Sequence, residues 1–260
     1  LNIRIIGYGR LAKTLVHIWK NQHQLVISSP TLQSSIESPN IVLTNDNSKM
    51  LEHQDFIILA VKPKLIKTIL QEIIPSISPK TVIVSVAAGI TLEALQIDIP
   101  NEHLIIRAMP NIAAEIGQSA TLLLSNQTLK HEQLFKIESL FSELGLTAWV
   151  SNDDVLDLGT IICGSGPAYV FYIMKAFEDG IVEMGMPKNI AEQMVKQTFV
   201  GASLLSQQKK ESLLQLQQQV TSPQGTTAAA LDVFNQAKLP IQLHDALFAA
   251  WQRVLSLRQL

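Results

Sequence analysis

Gly7-Tyr8-Gly9-Arg10-Leu11-Ala12 follows an apolar run, Asn2–Ile6, and opens an amphipathic stretch, so a strand turns into a helix at a glycine pair. A corner of this kind leaves the first N–H groups of the helix without partners, aimed at whatever lies above them. Gly7 permits the tight bend, Gly9 lets a ligand approach the backbone, and Ala12 lets helix and strand pack closely. The ligand such a corner suits is the diphosphate of a dinucleotide. A glycine turn without a ligand is the plainer alternative, and the strand–turn–helix context argues against it.

Other segments fall where the same ligand would extend. The second strand ends in Ile27-Ser28-Ser29-Pro30. A sheet that prefers NAD usually carries an acid about 20 residues past the glycines, set against the ribose diol. Ser28 and Ser29 stand there instead, which favours NADP(H) while admitting NAD(H). Val61-Lys62-Pro63, Ala87-Ala88-Gly89 and Met109-Pro110-Asn111 each follow a strand, on the rim where open α/β sheets gather ligands. Their small residues and prolines leave room for a flat ring, although ordinary strand-end turns would look the same. Lys62 reads equally as a phosphate or substrate contact and as a solvated surface lysine.

The second half holds two more helix starts, Gly164-Ser165-Gly166-Pro167-Ala168-Tyr169 and Val220-Thr221-Ser222-Pro223-Gln224-Gly225-Thr226-Thr227. A small carboxylate could dock on their free N–H groups by the physics that binds phosphate, with plain capping the stronger alternative for each alone. No metal or triad constellation stands out. The six histidines (His17, His23, His53, His103, His131, His244) are scattered without ligand spacing, and most read as surface residues. Cys163, the single cysteine, reads as a small buried thiol beside Gly164 and fits a reducing compartment.

These segments need a frame. Strands are expected at Asn2–Ile6, Leu25–Ser28, Phe56–Ala60, Thr81–Val86 and Leu104–Met109, alternating with helices at Leu11–Lys20, Lys64–Ile73 and Thr91–Ala94. A strand at Ser119–Leu124, a helix at Lys130–Leu144 stopped by a left-handed Gly145, and a strand at Ala148–Val150 complete this part. From Val155 the pattern is helical only: Val155–Ile162, Ala168–Met184, Asn189–Gln208, Glu211–Gln218, Thr226–Asn235 and Ile241–Ser256. The fold class is therefore α/β, a Rossmann-type parallel sheet over residues 1–152 followed by an all-helical domain over residues 153–260. Hydrophobic residues make up 47% of the 260, charged residues 16%, and mean hydropathy is +0.22. No apolar stretch reads as long enough to span a bilayer, so the excess is assigned to a large core and a subunit interface rather than to a membrane. A net charge of −2 without a basic cluster argues against a nucleic-acid partner. No signal-peptide pattern opens the chain, so a cytoplasmic protein is expected, and Leu1 in place of Met suggests a trimmed start.

Taken in order, the motifs resemble the pyrroline-5-carboxylate reductase family, across essentially the whole chain. The resemblance runs through Gly7–Ala12, Asp46-Asn47, Ala60-Val61-Lys62-Pro63, Ala87-Ala88-Gly89-Ile90, Met109-Pro110-Asn111, Gly164–Tyr169 and Val220–Thr227. The last two are the most family-specific. The resemblance implies a helical dimerisation domain interleaved between subunits, a homodimer or higher homo-oligomer, and NAD(P)H-dependent reduction of 1-pyrroline-5-carboxylate to L-proline. It implies that Asn47 lies by the adenosine ribose and its phosphate, and that the Ala60–Pro63 and Ala87–Gly89 backbones border the nicotinamide. It also implies that Ser222, Gly225, Thr226 and Thr227 hold the substrate.

That chemistry accounts for a site without His, Asp or Glu. A cyclic imine nitrogen is basic enough to take its proton from water before hydride arrives, so no tuned general acid is compulsory. Thr227 is the expected contact to that nitrogen. Two departures stand out: Ile112-Ala113 where the family reads Thr-Pro after Met-Pro-Asn, and Gln224 where it reads glycine. Gln224 would strain the backbone if its position needs a positive φ. These departures support an alternative, a catalytically weak or inactive relative with a regulatory role. A second alternative is a β-hydroxyacid dehydrogenase, but Tyr169 stands where that chemistry expects a lysine, with Lys175 further along.

Overall fold

Strand residues Phe56 and Ile58 enter one buried cluster while Ile57 and Leu59 enter another, so side chains alternate between two covered faces of a sheet. The structure, a computed structural model, describes residues 1–258. Its strands are β1 (Asn2–Ile6), β2 (Gln24–Ser28), β3 (Ser35–Ser38), β4 (Ile41–Thr44), β5 (Phe56–Leu59), β6 (Val82–Ser85), β7 (Ile105–Met109), β8 (Ser119–Ser125) and β9 (Gly145–Trp149). They form one nine-stranded sheet in the order β3-β4-β2-β1-β5-β6-β7-β8-β9. Pairing is parallel except at β3–β4 and β7–β8.

On one face lie α1 (Arg10–Trp19) and α4 (His131–Ser142), joined by an edge-to-face pair of Trp19 and Phe141 at 6.1 Å. The other face carries α2 (Ile66–Ile73) and α3 (Leu92–Asp98), which bury Ile66, Ile69, Leu70, Ile73 and Leu95. The expected strands and helices of this half are all present. β3 and β4 were not expected. β3 is a short polar edge strand, and such a strand carries no apolar alternation to read.

Gly145 plays a different part from the helix cap expected of it. α4 ends at Ser142, and Gly145 opens β9 with φ +137°, outside the left-handed helical region. A Cβ there would sit 2.4 Å from the Ser119 carbonyl oxygen, so glycine is required by the close strand approach.

The helical half comprises α5 (Asp153–Gly159), α6 (Gly166–Glu183), α7 (Lys188–Gln208), α8 (Leu213–Gln219), α9 (Thr226–Gln236) and α10 (Leu239–Leu257). Asn152 caps α5 by accepting from the Val155 N–H at 3.0 Å. Between α5 and α6 the helix widens by one residue, and the Ser165 N–H reaches back five positions to the Thr160 carbonyl. The chain divides into one compact unit of Leu1–Pro167 with the segment from Ala250, and a second of Ala168–Ala249. The division thus falls beyond residue 152, because α5 packs into the first unit: Leu156 and Asp157 are buried, and Arg107 of β7 pairs with Asp153 and Asp157.

Residues Asp153–Glu183 run as one helix of 31 residues with a mean hydropathy of 1.2 over its most apolar window, long enough to cross a membrane. The sequence pattern divides this stretch in two at Gly164 and Gly166, and the structure joins the pieces. The helix begins with three acids, two of them ion-paired to the sheet, and carries Lys175, Glu178 and Asp179 on its second half. Charges fixed at both ends of the apolar window suit a protein interface better than a bilayer.

Candidate functional site: an amide-lined cavity and a separate helix entrance

The first glycine corner folds as its residue types require. Gly7 has φ +105°, and a Cβ on it would lie 2.3 Å from the Ala60 carbonyl oxygen, so no other residue fits. Its N–H donates to the Ser28 carbonyl at 2.8 Å, tying the corner to β2. Gly9 is the N-cap of α1, and no side chain caps the helix there. A Cβ on Gly9 would meet no atom within 4 Å. The first turn of α1 therefore opens onto free space.

That space is a cavity of about 400 Å3 at the carboxyl ends of β1, β5 and β6, beside the point where strand order reverses. Gly9, Arg10, Leu11, Ala60, Val61, Lys62, Pro63, Ala87 and Ala88 all line it. Tyr8 lies beside it, with the Lys13 Nζ 5.3 Å from its ring centroid. Pro63 takes the first position of a short helical turn with the exposed Lys62 as its cap residue. A larger cavity of about 730 Å3 opens at the opposite, amino ends of the strands, lined by Asp55, Lys80 and Lys136 among others. The helix start that borders it, that of α4, is boxed by its own side chains, Gln133 accepting from the Lys130 N–H at 2.9 Å, and Lys136 there is already paired to Asp55 at 2.6 Å.

Ser28, Ser29 and Asn47 gather at the end of β2, as expected, but with divided roles. Ser28 is fully buried, and its hydroxyl donates to Asn47 Oδ1 at 2.8 Å, so it orients Asn47 instead of facing a ligand. Asn47 Nδ2 donates to Glu72 of α2 at 3.0 Å, which brings to this end a carboxylate the local sequence lacks. Ser29 is partly exposed, its hydroxyl 3.1 Å from that of Thr31. Arg4 of β1, fully buried, holds the loop that carries Asn47 by donating to the carbonyls of Asp46 at 2.6 Å and Lys49 at 2.9 Å. Burial lowers its pKa to about 10, against the pull of Asp46 and Glu72, and it remains a cation at neutral pH.

Met109, Pro110 and Asn111 are buried at the end of β7 and do not line the cavity. Asn111 Oδ1 accepts from the Ala113 N–H at 2.9 Å, and its Nδ2 donates to the Cys163 carbonyl at 2.8 Å. Both ends of the amide are used, so the expected cofactor contact by this side chain becomes a structural clamp on the widened helix. The Cys163 thiol is buried, which raises its pKa and keeps it neutral. Gly89, with φ +75°, is covered by Leu257 rather than by open space. Neither Leu257 nor Val86, both on the cavity wall, was legible beforehand. Two histidines also depart from the surface reading: His23 is buried on Glu143 at 2.9 Å, and His103 is buried with its pKa lowered by desolvation.

The second unit holds the other expected group. Gly225 caps α9, and its N–H donates to the Ser222 carbonyl at 3.0 Å. A Cβ on Gly225 would lie 2.4 Å from the Ser222 hydroxyl oxygen, so this glycine keeps the turn tight. Gln224 does take φ +60°, the left-handed conformation in which a side chain is strained. Thr226 and Thr227 form the first turn of α9, with Thr227 half-buried. Lys175, by contrast, lies exposed and paired with Asp179. Among the described residues no group of three His, Cys, Asp or Glu could hold a metal ion.

Comparisons with known proteins bear on both halves. Residues 153–257 match the family described as pyrroline-5-carboxylate reductase dimerisation, and residues 2–89 match that described as NADP oxidoreductase coenzyme F420-dependent. The chain is 30% identical to the pyrroline-5-carboxylate reductase of Pseudomonas aeruginosa, covering 99% of this chain and 97% of that one. It is 31% identical to pyrroline-5-carboxylate reductase 3 of Xenopus laevis, covering 99% and 96%. Among solved structures, a pyrroline-5-carboxylate reductase from Coxiella burnetii superposes with a TM-score of 0.86 at 31% identity, over 98% of both chains. The Plasmodium falciparum pyrroline carboxylate reductase with NADP bound gives 0.90 at 22% identity over 99% and 98%, which speaks for the fold.

Proposed function

The chain belongs to the pyrroline-5-carboxylate reductase family, and from that premise we propose how its own residues divide the work. It is an NAD(P)H-dependent oxidoreductase that reduces 1-pyrroline-5-carboxylate to L-proline. The observation that carries this reading is the uncapped start of α1 over an open cavity, in a chain alike from end to end.

The residues present fit a dinucleotide, since glycine leaves room at Gly9 and the first N–H groups of α1 face that room. When bound, the reduced nicotinamide supplies the hydride taken by the imine carbon. Gly7, Tyr8, Gly9, Arg10 and Leu11 form the diphosphate corner. Ser29 and Asn47 take the ribose end, with Ser28 and Arg4 holding Asn47 in place. The backbones of Ala60–Pro63 and Ala87–Gly89 border the nicotinamide. Met109, Pro110 and Asn111 support that border from beneath. The Ser29 and Thr31 hydroxyls support NADP(H) over NAD(H), and the carboxylate of Glu72 tempers that preference.

The substrate half is assigned to the start of α9. Its free amides begin at Thr226, since the Gly225 N–H is held by the Ser222 carbonyl, and with the Ser222 hydroxyl they suit a carboxylate. The Thr227 hydroxyl oxygen accepts from the ring nitrogen, which carries a proton taken from water. The rate then comes chiefly from orientation. A single cysteine, with no internal disulfide to form, is compatible with a reducing, cytoplasmic location.

Thr227→Ala tests the assignment. We expect kcat/KM for the imine to fall by about 10- to 100-fold while NADPH binding is unchanged. An unaltered rate dismisses the role, and failure of the unmodified protein to rescue a proline auxotroph dismisses the activity. The β-hydroxyacid dehydrogenase reading is not favoured, because the lysine it would use is engaged by Asp179 on the helix surface.

A further inference from the structure

Asp157 is fully buried and holds an arginine on each carboxylate oxygen. Arg107 of β7 donates to Oδ1 at 2.7 Å, and Arg258, just past α10, donates to Oδ2 at 2.6 Å. Arg258 also reaches Asp154 at 2.8 Å, and Arg107 reaches Asp153. A buried carboxylate needs such partners, and two guanidinium groups satisfy it from opposite sides. Arg107 ties α5 to the sheet, and Arg258 adds the end of α10 to the same carboxylate.

The residue before Arg258, Leu257, lines the 400 Å3 cavity together with Gly9, Ala60 and Ala87. It also rests on Gly89, where a built Cβ would lie 2.6 Å from the Leu257 Cβ and 3.1 Å from its carbonyl carbon. Only a glycine with positive φ admits that approach. Leu257 itself is the last residue of α10, and the fraying end of a helix needs something beyond its own turn to fix it. The ion pairs of the next residue do so.

We propose that Arg258 is a positioning residue for the dinucleotide, seating Leu257 on Gly89 through Asp157 so that one wall of the cavity is formed. The inference rests on assigning that cavity to NAD(P)H. Arg107 anchors the same carboxylate from the strand that ends at Met109-Pro110, so Asp157 references the wall to the sheet.

The experiment is NADPH titration by fluorescence on the full-length protein, with steady-state kinetics varying each substrate, for Arg258→Ala, Arg258→Lys and Leu257→Ala. In Arg258→Ala the NADPH dissociation constant and KM should rise about tenfold, with kcat and the imine KM changed less than about twofold. Arg258→Lys should recover part of the affinity. Leu257→Ala, which leaves every ion pair in place, should weaken NADPH in the same direction, and it carries the test should Arg258→Ala not fold. Equal NADPH affinity in the variants and the unmodified protein overturns the inference and leaves the cofactor assignment standing. Parallel loss of kcat and of both KM values, without recovery by lysine, overturns it as well. Failure of the unmodified protein to bind NADPH overturns both.

Discussion

Ile57 and Leu59 are fully buried, whereas Val233 and Tyr172, no less dependent on burial, are 61% and 78% exposed. The first pair belongs to the sheet unit and the second to the helical unit. A parallel sheet with helices on both faces closes its own core, because every strand face meets a helix. The helices from Ala168 to Ala249 have no sheet to cover. Phe171, Phe177, Met194, Leu204, Leu214, Val233 and Leu247 are exposed, and of these only Phe177 has an aromatic partner, Phe199 at 5.7 Å. Apolar surface on that scale marks an interaction site, and the match of residues 153–257 to a dimerisation family supports a homo-oligomer. Similar residue types thus serve a self-contained core in one unit and a homo-oligomer in the other.

Three substitutions press on this contrast. The largest effect is expected from Gly7→Ala in the self-contained unit. Its Cβ would overlap the Ala60 carbonyl, and the positive φ adds strain, together about 2–3 kcal/mol or more. A thermal melt should show the loss, and NADPH affinity should fall with it. Unchanged stability would mean that the corner tolerates a side chain and is not the tight turn described. Next, Tyr172→Asp places a charge on the exposed helical face. Light scattering should show the protein shifting toward monomer at micromolar concentration, with the sheet unit still able to bind NADPH. An oligomer of unaltered mass would break the distinction between the units. The smallest effect is Gln224→Gly. Relief of the left-handed strain, offset by the greater freedom of glycine in the unfolded chain, leaves a gain of under about 1 kcal/mol. Denaturant midpoints would measure it, and a loss of stability would mean that the Gln224 side chain makes contacts outweighing its strain.

Much of the sheet unit could be read from the residues in order. Strands buried on both faces are near-continuous apolar runs, and the glycine corner announces itself by spacing. The edge strand β3 escaped because polar, exposed residues carry little pattern, and β4, an apolar run, because it is only four residues long. The helical unit was legible as helices, and Gln224 was singled out correctly as a backbone problem. What could not be read were side chains that meet across long separations. Glu72 meets Asn47, Arg4 holds the loop at Asp46, and Arg258 meets Asp157 across 101 residues. The membrane-length helix was also missed, since the glycines at 164 and 166 read as a break while the structure threads them into one helix by widening a turn.

Local chemistry alone determined where the chain must bend, which amides stay free, and which residues seek burial. Those follow from φ preferences and apolar period, which act over a few residues. Tertiary structure decided which of the candidate side chains face the cavity. It turned Ser28 and Asn111 inward as supports, and it brought Leu257 to the wall from the far end of the chain. Such choices depend on what packs behind each residue, and packing partners are set by the whole sheet rather than by neighbours in sequence.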